Sequence, residues 1–230
     1  MSDAVAVVAA HPDDEVLGCG GTLARLASQG RPVHVLFVSD GQTSRVIEPG
    51  QPSVEKTLKA RNAAAQAACE ILGGSSVEVL GLADNRLDGV ELLEVVRHIE
   101  SFVQRYRPSL LLTHHSGDVN IDHRIVHDAV VSACRPQPGH PVQELLFFEV
   151  PSSTEWRPAG SAQAFNPNYF VDISKTLPKK LEALTAYAAE LRPFPHPRSI
   201  KAVSALAHWR GATVGVEAAE AFMLGRKLLA

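Results

Sequence analysis

The stretch AVAVVAAHPDDE, residues 4–15, runs an unbroken apolar segment straight into an imidazole and three carboxylates. Ala4–Ala9 offers no polar face, which predicts a central strand buried on both sides, as in a parallel sheet. His11-Pro12-Asp13-Asp14-Glu15 then reads as a strand-to-helix turn, with a helix from Glu15 to Ala27. The alternation continues outward from there. Val33–Val38 reads as a second strand and Val54 to Leu72 as an alanine-rich helix closed by Gly73-Gly74. Val77–Leu80 is a third short strand. Val90 to Tyr106 is a helix whose Val90, Leu93, Val96 and Ile99 fall near 3.6-residue spacing. Ser109–Leu112 is a fourth strand, Asp122 to Ala133 a helix and Leu145–Phe148 a fifth strand. Repeated strand–helix–strand units predict parallel strands with right-handed crossovers. The expected class is α/β, a Rossmann-like, mostly parallel sheet with helices on both faces.

Beyond Val150 the texture changes. PSSTEWRPAGSAQAFNPN, residues 151–168, reads as a functional loop because it carries Trp156 and Phe165. Tyr169–Ile173 is a candidate last strand. Ser174 is the expected N-cap of a helix to Glu190, and Ser199 that of a helix to about Trp209. A final helix is expected from about Glu217 to Leu228. The chain thus reads as one domain over residues 1–230, with a Rossmann-like core (1–150) and a pocket-wall loop with C-terminal helices (151–230). Gly18, Gly20 and Gly21 are expected to let the first helix pack closely, with Cys19 as a small buried residue. Lys179 and Lys180 read as a solvated helix face.

Composition narrows the function classes. At 230 residues, 45% hydrophobic and 20% charged, the chain is too apolar for disorder and long enough to fold without staples. A metal would therefore serve chemistry rather than the fold. With 22 basic against 25 acidic residues and a net charge of −3, nothing draws it to nucleic acid. The three cysteines form no CxxC pair, which excludes a thiolate zinc site and suits a reducing compartment. The N-terminal apolar run lacks a basic flank, and no apolar run is long enough for a membrane span. The expected location is the cytoplasm.

In such sheets ligands bind beyond the carboxyl ends of the strands. The first strand is followed by His11 to Glu15, the second by Ser39-Asp40-Gly41-Gln42 and the third by Asp84-Asn85-Arg86. The fourth leads into Thr113-His114-His115-Ser116-Gly117-Asp118, then Asn120, Asp122 and His123. Each piece alone has a plain structural reading, as a helix cap or a hydrogen-bonded turn. Their convergence on one sheet edge favours a metal site. Imidazole with carboxylate and no thiolate is the donor set of hydrolytic zinc or a related divalent ion. His123 and His127 share a helix face, a pairing more typical of structure than of ligation. Asp118 and Asp122 are candidates to fix a histidine tautomer from behind. Candidate substrate-binding residues are Arg45, Asp84, Arg86 and His196, the last in the rigid PHPRS loop (195–199) with Arg198. Arg61 is a candidate of the same kind as Arg45 and Arg86, and Trp156 reads equally as a sugar platform or a core aromatic.

Ala10-His11-Pro12-Asp13-Asp14-Glu15 resembles the AHPDDE signature of the PIG-L/LmbE-like zinc-dependent de-N-acetylases. Asn120-Ile121-Asp122-His123 lies where that family carries a second signature, usually His-Pro-Asp-His. The resemblance is strongest over residues 4–45 and 108–130 and includes Ala219-Glu220-Ala221-Phe222. It implies Zn2+ held by His11, Asp14 and His123, with Asp13 as general base. The histidine that opens the second signature, implied in oxyanion stabilisation or leaving-group protonation, is replaced by Asn120. An amide donates a hydrogen bond but cannot shuttle a proton, so the leaving amine would take its proton from Asp13, His114 or His115. The expected activity is removal of an N-acetyl group from an amino sugar in a glycoconjugate or nucleotide-sugar intermediate. Alternatives are an amidase acting on a longer acyl or thiol-sugar conjugate, a sugar-binding protein without catalysis, and a metal phosphoesterase. Because members of the family include oligomers, a homo-oligomer is a further expectation.

Overall fold

The structure, a computed structural model, describes residues 3–44 and 53–229. Its first strand, β1 (Val5–Ala9), is buried throughout, because each face meets its own apolar layer. Val5, Val7 and Ala9 enter one cluster, Ala6 and Val8 the other. The first layer comes from α1 (Asp14–Ser28), α2 (Val54–Leu72) and α5 (Leu177–Ala186), the second from α3 (Leu92–Tyr106) and α4 (Ile121–Ala133). β2 (Val33–Ser39) and β4 (Leu110–His114) flank β1 in parallel. β3 (Ser76–Leu82) continues the sheet beyond β2, and β5 (Glu144–Phe148) beyond β4. The chain therefore moves outward from β1 through β2 to β3, then returns to the other side for β4. Between β1 and β4 lies the switch point where the loops part and leave a crevice. His11–Glu15 and His114–His123 both open onto it.

The sheet has seven strands, ordered β3-β2-β1-β4-β5-β7-β6, with β6 (Tyr169–Asp172) and β7 (Ala219–Lys227) supplied by the C-terminal part. This corrects the helix expected over Glu217 to Leu228. Ala, Glu, Leu and Lys favour a helix, but the preference amounts to less than about 1 kcal/mol per residue. β7 instead fills a slot, antiparallel to β5 on one side and β6 on the other. Phe222 stands opposite both Phe148 and Tyr169 and is fully buried. Pairing on both edges satisfies the backbone groups that an open slot would leave bare.

Two further corrections concern the helices between them. Ser174 does not cap α5; its amide and hydroxyl both bond Asp172 Oδ1, and the helix starts after Thr176 and ends at Ala186. Ser199 does cap α6 (Ile200–Ala212), accepting the Ala202 amide at 3.1 Å. Lys180, read as solvated, is buried: its Nζ donates to Glu220 at 2.5 Å and to the Leu17 carbonyl at 2.9 Å. Glu220 also accepts the Gly21 and Thr22 amides, so one carboxylate ties α1, α5 and β7 together. The glycines of α1 act in packing, as expected. A Cβ on Gly18 would lie 2.3 Å from Phe148, and one on Gly21 2.7 Å from Ile173. Among the described residues no helix is long and apolar enough to cross a membrane.

Candidate metal centre

His11 and Asp14 come from the β1–α1 turn and His123 from the first turn of α4, which Asn120 caps by accepting the Asp122 amide at 2.8 Å. The switch point brings the three together. His11 Nδ1 lies 3.2 Å from Asp14 Oδ2, His123 Nε2 lies 3.3 Å from the same oxygen, and the two ring nitrogens are 3.3 Å apart. All three side chains are buried.

The far sides of the rings fix what the near sides present. His11 Nε2 faces Asp122 at 3.1 Å and Asp84 at 3.0 Å, and His123 Nδ1 faces Asp118 at 3.1 Å. Carboxylates there hold the N–H outward and leave both lone pairs aimed at Asp14 Oδ2, the usual support of a metal-binding histidine. Three lone pairs aimed at one point repel unless a proton or cation lies among them. Burial disfavours a charged His123, yet Asp14 and Asp118 outweigh it and raise the ring to about 9. His11 is likewise raised against burial, by hydrogen bonds to Asp122, Asp14 and Asp84. The donor set and spacing fit a small divalent ion. His11, Asp84 and Asp122 form a second cluster of possible donors. There, however, Asp122 already accepts the Asn85 and Leu87 amides and Asp84 the Ser44 hydroxyl, so this cluster orients His11. Asp118 is held in turn by the Asn120 amide and the hydroxyls of Ser153 and Thr154.

Asp13 stands beside the triad at the N-terminus of α1 with φ 123° and ψ −26°, a backbone conformation rare for any residue with a side chain. Such strain costs about 1–3 kcal/mol and gathers at functional sites. Arg198 Nη1 bonds its Oδ2 at 2.9 Å, while Oδ1 is buried without a hydrogen bond, 3.6 Å from Arg61 Nη2. Burial raises the Asp13 carboxyl above its ordinary range, against the pull of Arg198 and Arg61.

A cleft of about 110 Å³ opens over His11 and Asp13 and is walled by Asp84, Asn120, Arg61 and Arg198. Of the residues anticipated for substrate, Asp84 and Arg61 line it. Arg86 is exposed and forms no part of the wall. His196 stays outside the wall but accepts the Arg198 amide at 3.1 Å and so shapes that turn. Arg45 lies outside the described residues. His114 sits beneath the triad, stacked on His123 at 3.9 Å, with Nε2 accepting the Ala10 amide. Burial and the neighbouring His123 push its pKa well down. His115 donates to the Gln163 carbonyl at 2.9 Å, and His127 to the His114 carbonyl at 2.8 Å, away from the triad. Trp156 is exposed, its edge against His196. Two contributors had no local signal: Tyr187, on Glu15, and Glu190, on Arg61, reach the centre from elements remote in sequence. Ser153 and Thr154 come from the loop expected to be functional.

Known proteins share this arrangement of sequence and fold. The chain is 30% identical to a probable N-acetyl-α-D-glucosaminyl L-malate deacetylase 2 of Bacillus cereus, over 83% of this chain and 84% of that protein. It is 29% identical to a 4-oxalmesaconate hydratase of Pseudomonas putida, over 80% of this chain and 72% of the other. A conserved protein of Thermus thermophilus superposes with a TM-score of 0.77 at 28% identity, covering 100% of this chain and 97% of its own. The family described as GlcNAc-PI de-N-acetylase matches residues 6–134, a span that contains His11, Asp13, Asp14, Asn120 and His123. By that match and these relatives, the chain belongs to the PIG-L family.

Proposed function

We propose that this chain is a zinc-dependent de-N-acetylase that hydrolyses the acetamide of an N-acetylated amino sugar to acetate and a free amine. The observation that carries the reading is the buried His11–Asp14–His123 triad with the unbonded Asp13 Oδ1 beside it. A tetrahedral zinc site with ligands at about 2.0–2.1 Å has donors about 3.3–3.4 Å apart. The 3.2–3.3 Å spacings here agree with that edge. When bound there, zinc supplies Lewis acidity that lowers the pKa of a water to about 7 and polarises the amide carbonyl.

The remaining work falls to the protein's own groups. Asp13 Oδ1 takes the proton of the attacking water and, once protonated, returns it to the departing nitrogen. Asn120 uses its Oδ1 for the α4 cap and one Nδ2 hydrogen on Asn85 Oδ1, which leaves its second Nδ2 hydrogen to donate toward the developing oxyanion. Asp84 and Arg61 line the cleft, and their place there supports a role in meeting sugar hydroxyls beside their contacts to His11 and Glu190. The substrate class follows from the family's description and from the deacetylase of Bacillus cereus, a glycoconjugate enzyme by name. Three free, buried cysteines suit a cytoplasmic setting.

A second reading, addition of water to an unsaturated acid, has the similarity to the Pseudomonas hydratase behind it. One experiment separates them. The purified protein is assayed for metal by mass spectrometry, for amine release from a panel of N-acetylglucosamine conjugates, and for loss of absorbance from an unsaturated dicarboxylate. Stoichiometric zinc with amine release is expected. Stoichiometric zinc with hydration alone would overturn the deacetylase reading.

A further inference from the structure

We infer that the C-terminal part positions the base at two points, Arg198 on the Asp13 carboxylate and Tyr187, through Glu15, on the Asp13 backbone. The inference rests on the role proposed for Asp13. Both residues lie beyond the span of the family match, which ends at residue 134.

The backbone hold begins at Glu15, which is buried. Its Oε2 accepts the Asp13 amide at 3.0 Å and its Oε1 accepts the Tyr187 hydroxyl at 2.6 Å. Asp13 has φ 123°, so its backbone relaxes toward an ordinary conformation unless its amide is held. The Glu15 oxygen supplies that hold, and the Tyr187 hydroxyl, itself buried at the end of α5, fixes the Glu15 carboxyl group. The side-chain hold is separate. Arg198 donates from Nη1 to Asp13 Oδ2 at 2.9 Å and from Nε to Ser152 Oγ at 2.7 Å, so its fork is anchored at both ends. Arg61, the other cation facing Asp13, is engaged by the Pro12 carbonyl and Glu190. With Oδ2 occupied and the backbone fixed, Oδ1 alone can receive a proton, and its direction is set. A group placed this way adds to the rate without touching substrate.

The test uses Tyr187→Phe, Arg198→Lys and Arg198→Met in the full-length protein. Metal content, kcat and KM are measured, together with the backbone amide resonance of Asp13 in 15N-labelled, metal-free protein. Tyr187→Phe is expected to keep metal and KM, to lower kcat about 10- to 100-fold, the usual scale for such supporting groups, and to move the Asp13 resonance. Arg198→Met should lower kcat comparably, and Arg198→Lys should recover only part, since an ammonium carries the charge but not the fork. Full recovery by lysine would reduce Arg198 to charge neutralisation and overturn its positioning role. Unchanged kcat with an unmoved Asp13 resonance in Tyr187→Phe would overturn the backbone hold, even if the melting temperature fell. If the wild-type protein deacetylates nothing, the proposed function fails, and the resonance shift alone then decides the positioning.

Discussion

Zinc affinity should fall steeply as the solution is acidified through neutrality. In the metal-free protein His123 is raised to about 9, because Asp14 and Asp118 outweigh its burial. His11 is raised too, against burial, by Asp122, Asp14 and Asp84. A ring with a raised pKa keeps its proton below that value, whereas a metal ligand must offer a bare lone pair. Metal binding at pH 7 must therefore expel the His123 proton and part of one from His11. The two inner nitrogens are 3.3 Å apart and share one acceptor oxygen, so the second proton is held less firmly than the first. Between one and two protons leave per metal, and each makes the Kd change about tenfold per pH unit. From pH 8 to pH 7 the Kd for zinc should rise about 10- to 100-fold. Competition with a chromophoric chelator of known protonation gives the Kd at each pH. Calorimetry in two buffers of different ionisation enthalpy counts the protons directly. A Kd that stays flat from pH 6 to pH 8 would refute the reasoning, because the carboxylates behind the rings would then hold no protons on them. Asp118→Asn should flatten the dependence, since it removes one of the two charges that raise His123.

Asp13→Asn should keep its metal and lose about two to four orders of magnitude in turnover, whereas Asp14→Asn should lose the metal; metal analysis beside kinetics shows whether the roles are reversed. Asn120→Ala should lower the stability by about 1 kcal/mol through the lost cap and lower kcat roughly ten- to a thousandfold through the lost donor. A lowered melting temperature with near-normal kcat would leave Asn120 as a cap only. Glu220→Ala leaves Lys180 buried without its partner and two α1 amides bare, a loss of about 3–5 kcal/mol. At about 2–4 °C per kcal/mol for a chain of this size, the melting temperature should drop by about 6–20 °C. The double variant Lys180→Met/Glu220→Leu should recover much of that, and a drop no larger than a surface substitution gives would show the pair to be inert.

The parts legible in the sequence were those governed by local pattern. β1 through β5 and their helices follow from periodicity, and a metal site from groups that follow two neighbouring strands; the choice of His11, Asp14 and His123 among those groups came with the family resemblance. Asp118 and Asp122, anticipated as partners of histidines, do hold His123 and His11. What escaped depends on contacts between remote segments. β7 has helix-forming residues and becomes a strand only because β5 and β6 leave a slot for it. Lys180 resembles its exposed neighbour Lys179 until Glu220 arrives across the fold. Tyr187 reaches the Asp13 turn from a part of the chain where no motif marks it, whereas Arg198 comes from the PHPRS loop that the sequence did single out.

The place of β7 sets the order in which the sheet can be completed. β5, with the sequence ELLFF, is made before β6 and β7, and one of its edges is covered by β4. The other edge, rich in residues that pair readily with foreign strands, waits for β7. β6 is made in between but has no seat of its own, since it joins the sheet only along β7. During translation the ELLFF edge therefore stays open while the loop, α5 and α6 are synthesised, and closing it requires a long-range contact of the slow kind. That edge is thus covered only once Ala219–Lys227 has been made and has entered its slot.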